Sequence, residues 1–150
     1  MRKSIVVLMV LTLCGLAAVG AQNIAREPTY GTVELDAGFI PDPFTMDILA
    51  GGEEDISWLG YFGNVADAPD LSLFYEAGVL PLTIYVEDAE TDTVLLINDP
   101  TGEWHYNDDT NGVNPSITFS RPESGRYDIW IGTFFSGSLA DSVLAITEIP

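Results

Sequence analysis

The sequence predicts an all-β protein, a single antiparallel β-sandwich or jelly roll of about eight strands. Three observations lead there. Apolar residues recur with period two, and no window sustains the 3.6-residue period of an amphipathic helix. Gly, Pro, Asp and Ser clusters punctuate the apolar runs at short intervals. Residues 22–150 form one unbroken pattern, long enough for a core of their own.

The elements follow in order. Val33 and Leu35 alternate with polar neighbours, as do Phe44, Met46 and Ile48. Leu71, Leu73 and Tyr75 make a third strand, and Leu82, Ile84 and Val86 a fourth. Val94 to Ile97 is continuously apolar, which suits a strand buried on both faces. Ile117 and Phe119 come next, then Tyr127, Ile129 and Ile131, and last the run from Val143 to Thr147. Turn signals stand between them at Pro41-Asp42-Pro43, Gly51-Gly52, Ala77-Gly78, Asp99-Pro100, Ser124-Gly125 and Ser136-Gly137-Ser138. A helical turn is expected only around Asn64 to Ala68. Residues 22–31 read as a flexible lead-in and residues 32–150 as the domain.

Residues 1–21 have a different character. Arg2 and Lys3 precede an apolar run from Ile5 to Val19, and Val19-Gly20-Ala21 offers small residues for cleavage before Gln22. This is the layout of a secretory signal peptide, with a run short for a membrane span. Leu13 before Cys14 argues against a lipoprotein site. The expectation is an exported chain, periplasmic or extracellular, with no membrane insertion after cleavage and with Gln22 first, open to cyclisation. The exported part has no cysteine, so burial rather than disulfides must stabilise it.

Charge narrows the partners. All 23 acidic residues lie beyond residue 21, against Arg26, Arg121 and Arg126 alone, which leaves a formal charge of −20. Such a surface repels phosphate backbones and anionic lipid, so neither nucleic acid nor a membrane surface is an expected partner. It favours solubility and divalent cations.

The C-terminal half carries more specific patterns. "DTVLLINDPTGEWHYNDD" sets an apolar strand before Asp-Pro-x-Gly and an acidic loop; "NPSITFSRPESGRYDIWIGTF" follows with a Ser-Gly turn and a strand opening on Tyr127. Gly125 suits a positive φ at that turn, and Tyr127 is expected to point its ring inward with its hydroxyl near the loop end. Over about residues 80 to 148 this order resembles the bacterial pre-peptidase C-terminal domain, a secreted β-sandwich module often appended to proteases. The resemblance implies a non-catalytic module and, as in some members, calcium held near one end of the sandwich. By loop rather than ligand by ligand, the corresponding residues are Asp99, Asp108, Asp109, Asn111 and Asn114.

The residues of the 98–115 loop suit calcium through hard oxygen ligands. The EF-hand order is absent, and an Asx-turn loop capping its own backbone is the alternative. Zinc lacks ligands, because His105 is the sole histidine and no cysteine remains beyond Cys14. No nucleophile stands in a suitable context beside a histidine, so catalytic residues are expected to be none. Paired carboxylates for a hydrolase remain a weak alternative, since 23 acidic residues place some together by chance. Trp58, Trp104 and Tyr106 are candidates for stacking on a sugar or gripping a peptide if exposed, with Trp130 expected in the core. The functional expectation is an exported, non-catalytic β-sandwich module that binds a protein or carbohydrate. The alternative is an accessory or inhibitory partner of a secreted hydrolase.

Overall fold

A computed structural model describes residues 22–149 apart from 88 and 90. The expected signal peptide, residues 1–21 with Cys14, lies outside the described residues. Among the described residues eleven strands form: β1 (Thr32–Asp36), β2 (Phe44–Gly51), β3 (Glu54–Asp55), β4 (Asn64–Val65), β5 (Leu71–Glu76), β6 (Leu82–Glu87), β7 (Thr93–Asn98), β8 (Trp104–Asn107), β9 (Ser116–Phe119), β10 (Gly125–Thr133) and β11 (Leu139–Thr147). All eight expected strands are present. The additions are two-residue β3 and β4, and β8, which lies where the sequence suggested only a loop.

One sheet runs β2-β11-β6-β9. The other runs β1-β5-β10-β7-β8, with β4 and β3 continuing beside the far end of β10. The pairing is antiparallel with one exception that corrects the expectation: β1 pairs parallel with β5, from Thr32↔Ser72 to Asp36↔Glu76. A parallel pair needs a long crossover, and the chain supplies one by visiting the opposite sheet as β2 before returning. The expected helical turn at Asn64 to Ala68 is also corrected. Asn64 and Val65 are strand, and the helical turn lies earlier, at Ser57–Leu59.

The period-two pattern explains the core. Leu71, Leu73 and Tyr75 of β5 and Tyr127, Ile129 and Ile131 of β10 face Ile84, Leu144 and Ile146 from the other sheet, all buried. The continuous run in β7 is buried on both faces, as expected. Leu95 and Ile97 enter the inter-sheet core, while Val94 and Leu96 face outward into a second cluster with Ile56, Val65 and Trp130. That outer cluster is roofed by the 52–65 excursion. Close backbone approach fixes the roof: a Cβ on Gly132 would lie 2.1 Å from the Asn64 carbonyl oxygen.

Residues 22–31, expected to be free, are fastened down. The Thr29 and Tyr30 amides donate to the carbonyls of Pro69 and Asp70, both at 2.8 Å. The Leu49 amide donates to the Tyr30 hydroxyl, and Arg126 reaches the Ile24 carbonyl.

Candidate functional site

Strand alternation divides β8 between two surroundings. Trp104 and Tyr106 point to the outer cluster; His105 and Asn107 point toward β9. Three of the residues singled out for binding thereby converge on the outer face of one sheet. Trp58, in the Ser57–Leu59 turn, meets Trp104 edge-on at 6.2 Å, and Trp104 meets the buried Trp130 at 5.4 Å. Tyr106 stacks on Tyr61 at 4.6 Å with planes 7° apart, and its hydroxyl donates to the Phe62 carbonyl at 2.7 Å. Burial, then the neighbouring Asp108, pushes the Tyr106 hydroxyl pKa up, so it remains a donor.

Further aromatics lie beyond the residues singled out for binding. Phe62 approaches Phe134 at 6.4 Å, and Phe134 meets Phe135 edge-on at 5.2 Å. Here the aromatics reach solvent, with Phe62 71% and Phe135 61% exposed. An open groove of about 630 Å³ is lined by Tyr61, Phe62, Phe134 and Phe135 together with Glu53 and Asp55 and the polar Ser57, Asn64 and Ser136. Hydrogen bonds from the Ser57 hydroxyl and amide hold the Asp55 carboxyl below its ordinary pKa. An apolar aromatic floor with fixed negative charge beside it can take a cation by both cation–π attraction and ion pairing. The signal for Phe134 and Phe135 was present as two adjacent aromatics after an apolar strand. Glu53 and Asp55 were hidden among the other carboxylates.

The expected metal loop looks different. Asp99 begins the turn between β7 and β8, and its carboxylate caps that turn. Oδ1 accepts from the Thr101 amide (2.8 Å), the Thr101 hydroxyl (2.7 Å) and the Glu103 amide (3.0 Å), while Oδ2 meets His105 Nε2 at 2.8 Å. Burial raises its pKa, but the hydrogen bonds from Thr101, His105 and Glu103 outweigh burial and lower it. The Asx-turn alternative therefore describes Asp99.

Asp108, Asp109, Asn111 and Asn114 lie at the other end of the hairpin. Asn98 pairs with Trp104 and Leu95 with Asn107, so β8 carries the chain away from Asp99 before Asp108 is reached. The five residues do not gather around one point. Strand formation by Trp104–Asn107 is the reason, because burying Trp104 and Tyr106 on one face extends the backbone that separates them.

Near Asp108 and Asp109 stands Asp92. Burial first, then the charges of Asp109 and Asp108, push its carboxyl pKa up. Asn114 Oδ1 accepts from the Ala89 amide at 3.2 Å, and Asn111 bridges Asn114 through the backbone. Among the described residues, one set of potential metal-ligating atoms converges within 4.8 Å, that of Asp99, Glu103 and His105. The hydrogen bonds above already engage both Asp99 oxygens. His105 packs its ring edge on Phe119 at 4.9 Å, and Phe119 packs on Tyr127 at 5.1 Å.

Tyr127 closes this end of the sandwich. Its ring is buried and its hydroxyl donates to the Glu123 carbonyl at 2.8 Å, tying the 120–124 loop to the strand that follows. Gly125 has φ 143°, and Pro100 lies over it so closely that a Cβ would meet the Pro100 Cβ at 2.8 Å. The Asp-Pro-x-Gly turn and the Gly-x-Tyr turn are thus packed on one another. They build the sandwich end.

No family model matches the chain, and no curated protein matches it. Among solved structures it is similar to the crystal structure of Aeromonas hydrophila PliG, a periplasmic lysozyme inhibitor of g-type lysozyme. The TM-score is 0.44 and the identity 12%, over 77% of this chain and 96% of that one. Among the described residues no helix is long and apolar enough to cross a membrane.

Proposed function

We propose that this chain is an exported, non-catalytic binding module whose partner is a basic protein, a secreted hydrolase being the expected class. The observation that carries the reading is the groove in which the exposed rings of Phe62 and Phe135 stand beside Glu53 and Asp55. Aromatic rings supply desolvated contact area at low entropic loss, and the carboxylates select lysine or arginine. A formal charge of −20 on the exported chain steers such a partner from a distance. A protein is favoured over a sugar because the rings are inclined to one another, Phe62 to Phe134 by 40° and Phe134 to Phe135 by 77°, and so offer no flat platform, while Glu53 and Asp55 bring carboxylates to the lining.

The test is titration calorimetry of the protein against a panel of basic secreted hydrolases, g-type lysozyme among them, with acidic hydrolases as controls. At least one basic member is expected to bind with an affinity that falls as salt rises. Phe62→Ala with Phe135→Ala, and separately Glu53→Gln with Asp55→Asn, should each weaken binding by about tenfold or more. If no basic hydrolase binds, or both double variants bind as wild type does, the groove is not the interface. Any calcium requirement is proposed to reside with Asp92, Asp108 and Asp109, where mutual repulsion is unrelieved, and not with Asp99.

A further inference from the structure

The end of the aromatic ladder away from the groove touches the first described residue. Gln22 is 5% exposed, and its Oε1 accepts from the indole N–H of Trp58 at 2.9 Å. The amide orientation is fixed by chemistry, because an indole nitrogen can only donate and so must face the oxygen. Among the described residues its Nε2 is buried without a hydrogen-bond partner. A buried, unpaired NH2 group is destabilising, and a terminal ammonium buried beside it would add to that.

We infer that the exported chain carries pyroglutamate at position 22, and that this ring is the group docked on Trp58. The inference rests on the export reading, in which cleavage after Ala21 makes Gln22 the first residue. In the cyclisation the neutral α-amine nitrogen attacks Cδ, a C–N bond forms, the Cδ–Nε2 bond breaks, and a proton passes from the amine to the departing nitrogen. Ammonia leaves. No oxidant, reductant or further reactant is needed, and roughly a tenth to a third of an α-amino group is neutral at physiological pH, which supplies the nucleophile. The atom expelled is the same Nε2 that has no partner in the fold. The terminal positive charge disappears in the same step, and the retained carbonyl still accepts from Trp58. The Asn23 amide, bonded at 3.0 Å to the Asp67 carbonyl, holds the following residue in place. The ring thus packs at the Trp58 end of the aromatics, away from Phe62 and Phe135.

Protein recovered after export is examined by intact mass, amine labelling of the terminus and fragmentation of the first peptide. The expected result is a chain beginning at position 22, lighter by one ammonia than its glutamine form and unreactive at the terminus. Pyroglutamyl aminopeptidase should then release the residue at least about tenfold more slowly from folded than from denatured protein, and Trp58→Phe should narrow that gap. A chain that begins at Gln22 with a reactive amine overturns the cyclisation and leaves export standing. A chain that begins elsewhere overturns both. Pyroglutamate removed equally fast from folded and denatured protein overturns the docking on Trp58.

Discussion

Asp70→Asn should make this protein more stable at alkaline pH and no more stable in acid. Asp70 is 4% exposed, in the loop before β5, and its Oδ2 accepts from the Ile131 amide at 2.7 Å. Among the described residues no cation is paired with it; Arg26 engages Asp67, and Arg126 engages Asp128 and Ser72. Burial pushes its pKa from an ordinary 3.8 up to about 7, with the Ile131 hydrogen bond only partly opposing the rise. Between these values the folded chain holds a proton that the unfolded chain has released. Stability due to this group is therefore complete below the unfolded pKa and falls as pH rises through the folded pKa. The whole shift corresponds to about 4 kcal/mol. Asparagine keeps an acceptor for Ile131 and removes the charge, but its NH2 group costs about 1 kcal/mol without a partner. The variant should gain about 3 kcal/mol at pH 8.5 and be near or slightly below wild type at pH 4.5. At about 3 °C per kcal/mol for a domain of this size, the difference in Tm should swing by roughly 10 °C across the range. Melts of both proteins by circular dichroism, in matched salt, measure it. Subtracting one from the other cancels the other carboxylates. A Tm difference that stays constant with pH would show that Asp70 is ionised throughout and that its hydrogen bond outweighs its burial.

The corner at Tyr127 and the metal question yield two further predictions. Tyr127→Ala should destabilise by roughly 3 kcal/mol as a buried aromatic truncation, and Tyr127→Phe by about 1 kcal/mol for the lost bond to the Glu123 carbonyl. Urea unfolding distinguishes them, and equal effects would mean that the hydroxyl carries the whole contribution. In calcium against chelator at matched ionic strength, wild type is expected to melt higher in calcium. Asp108→Asn with Asp109→Asn should abolish the increment, whereas Asp99→Asn should lower Tm in both buffers and leave the increment intact.

The strands were legible in the sequence because burial on one face imposes period two. Every run from Val33 to Thr147 that showed it became a strand. Strand β8 was harder to see. Trp104 and Tyr106 alternate with His105 and Asn107, but over only four residues set among Asp, Asn, Gly and Pro, where the stretch reads as a loop. Missing that strand is what placed Asp99 beside Asp108 and Asp109. The parallel β1–β5 pair was equally invisible, because alternation says which face a residue takes and nothing about the direction of its neighbour.

What the sequence determined by itself is local and cumulative: the all-β class, the buried β7, the inward Tyr127 turned at Gly125, and the strongly negative charge of residues 22–150. Each depends on a few adjacent side chains or on a sum over the chain. The tertiary structure alone decided what meets across distance. It set Trp58 against Trp104 and Gln22, brought Phe62 to Phe134 beside Glu53 and Asp55, and left Asp70 buried without a cation. Those contacts form only when the 52–65 excursion folds back over the sheet and Gly132 lets the backbone of Asn64 come close. A groove and a perturbed carboxyl are products of such long-range packing, so their residues carry no mark of it in the order of the chain.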